Sequence, residues 1–150
     1  MLRVLLCAAV ALAPSAARAQ AGEIDWQRRV LKATGRGAPN LDAHSIAVAR
    51  LGAERAARAA AQRNALETLK GATLESGGSV GTLLQNDSAL RMKVQAKLRG
   101  VKPIKTHYFS DGGVSLELEL PLDQLPAEIA QGLKEPSTPA SVSKPDAGGP

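Results

Sequence analysis

A regular alternation of leucine and polar residues marks the segment VSLELELPL in the C-terminal part of the chain. Every second residue from Leu116 to Leu122 is leucine, and Glu117 and Glu119 lie between the first three of them. Side chains of a strand point alternately to its two faces, so this spacing predicts a β-strand with one buried face. The strand follows the turn sequence DGG and is therefore predicted to be the second half of a C-terminal β-hairpin.

The register of this hairpin depends on the length of its loop. A two-residue loop, Asp111–Gly112, would set His107 and Lys105 opposite leucines and place charge in the core, whereas a three-residue loop, Asp111–Gly113, avoids this. We therefore predict the three-residue loop. The predicted pairs are Ser110–Val114, Tyr108–Leu116, Thr106–Leu118 and Ile104–Leu120 on the buried face, with His107–Glu117 and Lys105–Glu119 on the outer face.

The alanine-rich segment ARLGAERAARAAAQRNALETLKG predicts a long helix that ends at Gly71 in a left-handed turn, with Asp42 and Ser45 as candidate N-caps. Its arginines scatter around the helix, which excludes a stripe that follows phosphates. Its small side chains exclude a coiled-coil seam and a membrane-surface helix. We predict a core helix packed on the hairpin through a small, uncharged face. At about 100° per residue, that face comprises Ile46, Ala49, Ala53, Ala56, Ala57, Ala60 and Asn64.

The other segments predict a small domain that contains both helices and strands. RRVLKATGRGA predicts a first strand, and GATLES predicts a short one. NDSALRMKVQAKLRG predicts a second helix with Leu90, Val94 and Leu98 on its buried face, and LPAEIAQGLK predicts a last short helix. This order of elements indicates an α+β fold: a small mixed sheet with a C-terminal hairpin, on which the long helix and the second helix pack.

The two ends of the chain differ in composition from its middle. Residues 1–19 combine Arg3, the apolar run VLLCAAVALA and the small residues ARA, which is the pattern of a cleaved secretory signal peptide. The only cysteine, Cys7, lies in this run, and lipid attachment to it is the alternative. Residues 135–150 contain four prolines and predict a disordered tail. We expect one domain at residues 20–134 and no transmembrane helix after cleavage.

Six basic residues and no acidic ones occur between residues 88 and 110. The net charge of the whole chain is +5, and loss of Arg3 and Arg18 with the signal peptide would lower it to +3. This near balance, together with export, argues against nucleic acid as a partner. The basic cluster predicts either a solvated helix face or a site for an anionic envelope protein or polymer. Its members are Arg91, Lys93, Lys97, Arg99, Lys102 and Lys105.

The segment GGSVG matches the nucleophile motif of serine hydrolases, and Ser79, Asp87 and His107 follow in the chain order of their triad. That motif requires a large parallel sheet, for which this chain is too small. We therefore predict a glycine loop and no enzyme, with a small serine hydrolase using Ser79 as the alternative. GRGAPN lacks the third glycine of a dinucleotide fingerprint, and His44 and His107 lack further ligands for zinc. No cofactor and no metal is predicted.

Four segments of the chain resemble a known family. VLKATGRGAPN, AVARLGAERAARAAAQRNALETLKG, SVGTLLQND and KLRGVKPIKTHYFSDGGVSLELELPL are similar to the LPP-twenty lipoprotein family and to the N-terminal domain of flagellar assembly protein T. The resemblance covers nearly all of Val30–Leu122, and no catalytic residue carries over. It implies a non-enzymatic envelope domain, associated with the outer membrane or with periplasmic parts of a motility apparatus.

Together these observations predict an exported binding or assembly module of the periplasm or outer membrane, or a secreted one. It would hold an envelope partner by an exposed strand edge or by the basic residues between Arg91 and Lys105. The sequence leaves the strand order, the oligomeric state and the identity of the partner open.

Overall fold

The computed structural model describes residues 22–135, whose strands form one antiparallel sheet in the order β1-β2-β4-β3. The predicted α+β class is confirmed. The prediction of a mixed sheet is wrong in this detail, because every neighbouring pair of strands is antiparallel. The elements are β1 Gly22–Asp25, β2 Val30–Gly37, α1 Ile46–Gly71, α2 Val80–Asn86, α3 Ser88–Gly100, β3 Pro103–Tyr108, β4 Val114–Pro121, a 3-10 turn Leu122–Gln124, and α4 Ala127–Ala130.

Strand β4 occupies the centre of the sheet beside β2, and the predicted alternation along it is confirmed. Val114, Leu116, Leu118 and Leu120 are buried, and the residues between them are only partly buried. These side chains, with those of β2 on the same face, meet the helices and form an aliphatic core. The opposite face of the sheet has polar residues, so the fold has two layers, with helices over one side only.

Strand β1 precedes the first predicted strand and is absent from the predictions, because its sequence GEID is short and has one large apolar residue. It joins β2 through a tight turn in which Arg29 has φ 51°, and the backbone N–H of Arg28 donates to Asp25 Oδ1 at 3.0 Å. Lys32 Nζ lies 3.1 Å from Asp25 Oδ2. The hydrogen bond from the Arg28 backbone, followed by the contact with Lys32, lowers the pKa of the Asp25 carboxyl.

Helix α1 begins after Ser45, whose hydroxyl accepts from the Val48 N–H at 3.3 Å, so Ser45 rather than Asp42 is the N-cap. The predicted left-handed end at Gly71 is wrong. Gly71 belongs to the helix, and Ala72 follows with an extended backbone (φ −69°) while its N–H donates to Leu69 O at 3.1 Å. The chain turns in this way directly into the extended segment that follows.

The buried face of α1 is only partly the one predicted. Ala53 and Ala57 are fully buried, as expected, but Ile46 and Ala56 are exposed. Residues four apart form a ridge inclined to the helix axis, and this ridge lies along the sheet, so the buried line drifts around the helix. A stripe drawn at one fixed angle matches it only over two turns. The buried residues are Ala53, Ala57, Ala61, Ala65 and Leu69.

Two glycines of β2 allow α1 to approach the sheet closely. A Cβ atom on Gly35 would collide with the backbone of Ala57 and Ala61, and one on Gly37 would collide with Ala53 O. Asn64 stabilises the contact between α1 and β2, since its Nδ2 donates to Thr34 O at 2.8 Å. The small side chains of α1 therefore meet a strand that has no side chains at the points of contact.

The β3–β4 hairpin has a three-residue loop, as predicted, but the loop lies one residue earlier in the chain. Phe109 N–H donates to Gly113 O at 2.9 Å, and Gly112 takes the positive φ of 85° that closes such a loop. The shift of one loop residue moves the predicted partners of Lys105 to Tyr108 by two and leaves these side chains on their predicted faces, whereas Ile104 loses its predicted partner to a bulge. The observed pairs are Tyr108–Val114, His107–Ser115, Thr106–Leu116, Lys105–Glu117 and Pro103–Leu118, with a bulge between Pro103 and Lys105.

Three further helices complete the core beside α1. The second predicted helix is confirmed as α3, with Asp87 as its N-cap and Leu90, Val94 and Leu98 buried. The last short helix is confirmed as α4. The short strand predicted from GATLES is wrong, because Thr73 and Leu74 form only isolated bridges. The predicted glycine loop ends at Ser79, which caps helix α2; this helix was not predicted from the sequence.

The predicted signal peptide at residues 1–19, including Cys7, lies outside the described residues. So does the predicted tail, apart from Glu135.

Candidate functional site

Strand β3 forms one edge of the sheet and has β4 as its only neighbour among the described strands. Backbone groups of successive strand residues point alternately to the two sides. Because the Phe109 N–H points toward β4, the N–H and C=O groups of Thr106 and Tyr108 point away from it. The outer side of β3 is thus a row of backbone donors and acceptors that can receive a further strand.

The helix-side face of β3 is also uncovered. Helix α1 packs on β2 and β4, which buries Leu116 and Leu118, but it does not extend over β3. Tyr108 lies opposite the buried Val114 and shares its face, yet it is 48% exposed, and Ile104 at the bulge is 57% exposed. The helix-side face of β3 at Tyr108 is therefore only half covered. We call this face, together with the outer backbone of β3, the β3 edge site.

An arginine of α1 stands over one end of the β3 edge site. The Arg50 guanidinium lies 5.5 Å from the centre of the Tyr108 ring, in a cation–π contact. This contact holds the ring against α1 and leaves the backbone of Tyr108 free on its outer side. The β3 edge site therefore combines a fixed aromatic ring with backbone groups available for hydrogen bonding.

The opposite face of the same strand is polar. Lys105 and His107 lie there beside Glu117 and Ser115 of β4, around a shallow cavity of about 240 Å³. The rings of His107 and Phe109 contact edge to face, with their centres 4.7 Å apart. The charged groups alternate in sign, so this face does not concentrate charge for a ligand of one sign.

The structure does not bring the six predicted basic residues to one surface. All six are exposed, but Arg91 and Arg99 lie on one side of the buried face of α3, and Lys93 and Lys97 lie on the other. Lys102 lies in the connection to β3. Lys105 extends from the far face of the sheet and pairs with Glu117.

Arg99 instead lines a groove together with Arg63 of α1, which the sequence did not predict. Both arginines line a groove of about 270 Å³ between α1 and α3, with Leu66 and Leu98 among its other residues. Gln62 closes one part of it by donating from Nε2 to Leu98 O at 3.3 Å. We call this the Arg63–Arg99 groove. Arg63 and Arg99 are 36 positions apart in the chain and lie on different helices, so no local sequence pattern could predict this groove.

The residues of the alternative hydrolase triad have separate hydrogen bonds. Ser79 caps α2, and its Oγ accepts from the Thr82 N–H at 3.2 Å. Asp87 caps α3 by accepting from the Leu90 N–H at 2.9 Å. His107 lies on β3, where it contacts Phe109. Within residues 22–135, no hydrogen bond joins any two of Ser79, Asp87 and His107.

Other features bear on binding only indirectly. Among the described residues, no group of three histidine, cysteine or acidic side chains is placed to hold a metal ion. Leu41 and Ile46 are highly exposed at the start of α1, beside a cavity of about 310 Å³ that reaches the hairpin loop. No helix in the described part of the chain is both long and apolar enough to cross a bilayer.

Comparisons of the chain with protein-family models, with curated proteins and with solved structures find no significant match.

Proposed function

We propose that this protein is an exported, non-enzymatic assembly module of the cell envelope, which holds other proteins by strand addition at the β3 edge site. The outer backbone of β3 is the observation that carries the proposal. Thr106 and Tyr108 offer backbone groups to an incoming strand, and Ile104 offers an uncovered apolar side chain to the residues of that strand. Backbone bonds would supply affinity, and the exposed side chains of β3 would supply selectivity.

The location in the periplasm or at the outer membrane is part of this proposal. It rests on the signal-peptide pattern of residues 1–19 and on the resemblance to the LPP-twenty family and the N-terminal domain of flagellar assembly protein T. Under the same resemblance, a part in a motility apparatus is one setting for the module. The hydrogen bonds of Ser79 and Asp87 to helix N-termini support a structural role for both residues rather than catalysis.

A substitution at Thr106 tests the proposal, because it can remove a backbone donor that the sheet itself does not use. Thr106→Pro deletes the outward N–H, whereas Thr106→Val keeps it and changes only the hydroxyl. Tagged full-length versions would be expressed in the native host and crosslinked in intact envelopes. We expect partners that are crosslinked to the wild type and to Thr106→Val to be lost with Thr106→Pro. Circular dichroism and thermal unfolding would establish that both variants are folded. Equal crosslinking of folded Thr106→Pro would overturn the proposal.

The Arg63–Arg99 groove supports a second candidate function, the binding of an anionic envelope polymer. Two guanidinium groups in one groove can bind carboxylate or phosphate groups in a bidentate manner. Retention on immobilised dextran sulfate would be compared between Arg63→Gln/Arg99→Gln and the control Lys93→Gln/Lys97→Gln, which loses the same charge from the other side of α3. Selective loss of retention in the arginine variant would support this function. Equal loss in both variants would show that retention depends only on net charge.

A further inference from the structure

We infer that the end of the molecule at which α1 begins inserts into the surface of a lipid bilayer. Six of the eight large apolar side chains that are exposed within residues 22–135 lie at this end, and they are Leu41, Ile46, Val48, Leu51, Tyr108 and Phe109. We call the first four, all of them aliphatic, the apolar tip. The inference goes beyond the proposed function, because the apolar tip takes no part in strand addition at the β3 edge site.

The first two turns of α1 extend beyond the end of the sheet. Strand β2 ends at Gly37, which lies against Ala53 of the helix. Ile46 lies seven residues, or about 10 Å, further toward the start of the helix. Of the segment IAVARLG at residues 46–52, only Ala49 is partly buried, and only Arg50 is charged. The helix therefore begins with an apolar end that the rest of the described chain does not cover.

The apolar side chains of this segment are spread around the helix axis. At about 100° per residue, Ile46 continues the line of Ala53, whereas Val48 and Leu51 lie on the opposite side. A helix that docks in a groove of another protein has its apolar residues on one side, at spacings of three and four. A helix that is apolar all round requires burial on all sides. A lipid surface meets this requirement, because lipid closes around an inserted helix end from every direction.

Leu41 extends the apolar tip from the loop before α1 and is 90% exposed. The loop has its own hydrogen bonds, since the Asp42 N–H donates to Asn40 Oδ1 at 3.0 Å and the Ala43 N–H donates to Asn40 O at 3.2 Å. The Ser45 hydroxyl caps the first turn of the helix. Backbone donors without a partner are costly to remove from water. These hydrogen bonds therefore lower the cost of placing the loop in the bilayer interface.

Two cation–π pairs border the apolar tip on the side of the sheet. The Arg50 guanidinium lies 5.5 Å from the centre of the Tyr108 ring, and the Arg36 guanidinium lies 5.9 Å from the centre of the Phe109 ring. Tyrosine is enriched at the boundary between hydrocarbon and water, and long cationic side chains reach from there to the headgroups. The order from aliphatic to aromatic and cationic groups thus matches the order of layers in a bilayer surface.

The charges at this end predict that apolar burial, rather than net charge, supplies the affinity. Asp42 follows Leu41 in the chain, and Asp111 lines the same cavity as Arg50, so carboxylates balance the arginines. The attraction to anionic lipid is consequently small. We expect shallow and reversible binding to neutral and anionic bilayers alike, with the aliphatic side chains below the headgroups.

A fluorophore at the apolar tip tests the insertion. Leu41→Cys would be made in full-length protein carrying Cys7→Ser, which removes the chain's only native cysteine, and labelled with the environment-sensitive dye NBD. We expect a blue shift on addition of phosphatidylcholine vesicles and of vesicles of phosphatidylethanolamine with phosphatidylglycerol. The same dye at Met92→Cys is the control and should not respond, since Met92 is 65% exposed on α3. The dye reports its own surroundings, so binding through residues 1–19 alone would leave it unchanged.

A lipid titration of the labelled protein provides the second measurement. Adding Ile46→Ser and Val48→Ser should raise the lipid concentration at half-maximal shift about tenfold or more, because less apolar surface is buried. Met92→Ser is the matched control and should leave it unchanged. Circular dichroism would establish that both variants are folded.

Three results would overturn the inference. The first is no response at residue 41 with either kind of vesicle, or equal titrations of the serine variants. The second is a response without lipid that grows with protein concentration, which would identify a second copy at the apolar tip. The third is a response to phosphatidylglycerol vesicles alone. Thr106→Pro should insert like the wild type, so loss of strand addition and loss of insertion are distinguishable.

Discussion

Gly35 of β2 lies directly against the backbone of Ala61 in α1. A Cβ atom on Gly35 would collide with the amide nitrogen of Ala61 and with the carbonyl oxygen of Ala57. The obstructing atoms belong to the main chain of a long helix, so they cannot rotate away as the end of a flexible side chain would. The approach of helix to sheet therefore depends on the missing side chain of one residue.

Gly35→Ala should consequently destabilise the protein by about 3 kcal/mol or more, because the added methyl group must push α1 away from the sheet. Gly52→Ala is the control: Gly52 is exposed within α1 and nothing would contact its Cβ. That substitution should stabilise the fold by about 0.5–1 kcal/mol through helix propensity. Urea unfolding of the two variants measures both effects. If Gly35→Ala is as stable as the wild type, α1 does not approach β2 this closely.

Ser45→Ala should cost about 1 kcal/mol of stability, because it leaves the Val48 N–H without its cap. Asp42→Ala should change the stability by less than about 0.5 kcal/mol, since Asp42 is exposed and its side chain does not cap the helix. Thermal unfolding of the two variants decides between the candidate N-caps. A larger loss at Asp42 would reverse the assignment.

Substitutions at Ser79 distinguish a structural role of this residue from a catalytic one. As the N-cap of α2 it should tolerate aspartate, which caps equally well, whereas alanine should cost about 1 kcal/mol. Urea unfolding of Ser79→Ala and Ser79→Asp measures these effects. The wild type should also remain unlabelled by a fluorophosphonate probe. Labelling that disappears in Ser79→Ala would instead establish the serine hydrolase.

The Asp25 carboxyl makes stability depend on pH in a defined direction. Its folded-state pKa lies below the ordinary 3.8, so its contribution is present above that value and is lost as the pH falls through the lowered pKa. Asp25→Asn should therefore be less stable than the wild type at neutral pH, and the difference should disappear in strong acid. Denaturant unfolding across this range measures it.

Direct titration of Asp25 by NMR distinguishes the causes of its lowered pKa. Arg28→Ala should leave the pKa nearly unchanged, because Arg28 acts chiefly through its backbone N–H. Lys32→Met should raise the pKa part of the way toward the ordinary value, because it removes the contact with Oδ2. A larger shift for Arg28→Ala than for Lys32→Met would contradict the assigned order of causes.

The sequence predicted those elements in which local pattern and tertiary environment agree. The leucine alternation of β4 and the spacing of Leu90, Val94 and Leu98 in α3 both survive in the structure, because each has one face on the core. The face of α1 was predicted less well, since Ala56 and Ala57 are chemically identical and only the tilt of the helix decides which is buried.

The candidate site could be predicted only in part. That the protein has an exposed strand edge was an expectation, but the assignment of the edge to β3 requires the strand order, which depends on β2 pairing with β4 across the chain. The basic cluster was contiguous in sequence and is divided in space, because α3 and β3 present their lysines to different surfaces. That Arg63 and Arg99 line one groove follows from the packing of α1 with α3, which no spacing encodes.

The central pairing of β2 with β4 also governs how the molecule folds. Val30 pairs with Pro121, so the two innermost strands come from opposite ends of the described chain. Such distant pairing gives a high contact order and slows folding. The central pair of strands cannot form until β4 has been synthesised. A nascent chain of this topology stays unfolded through most of its synthesis, and any truncation before β4 leaves the long helix without the surface that its alanines require.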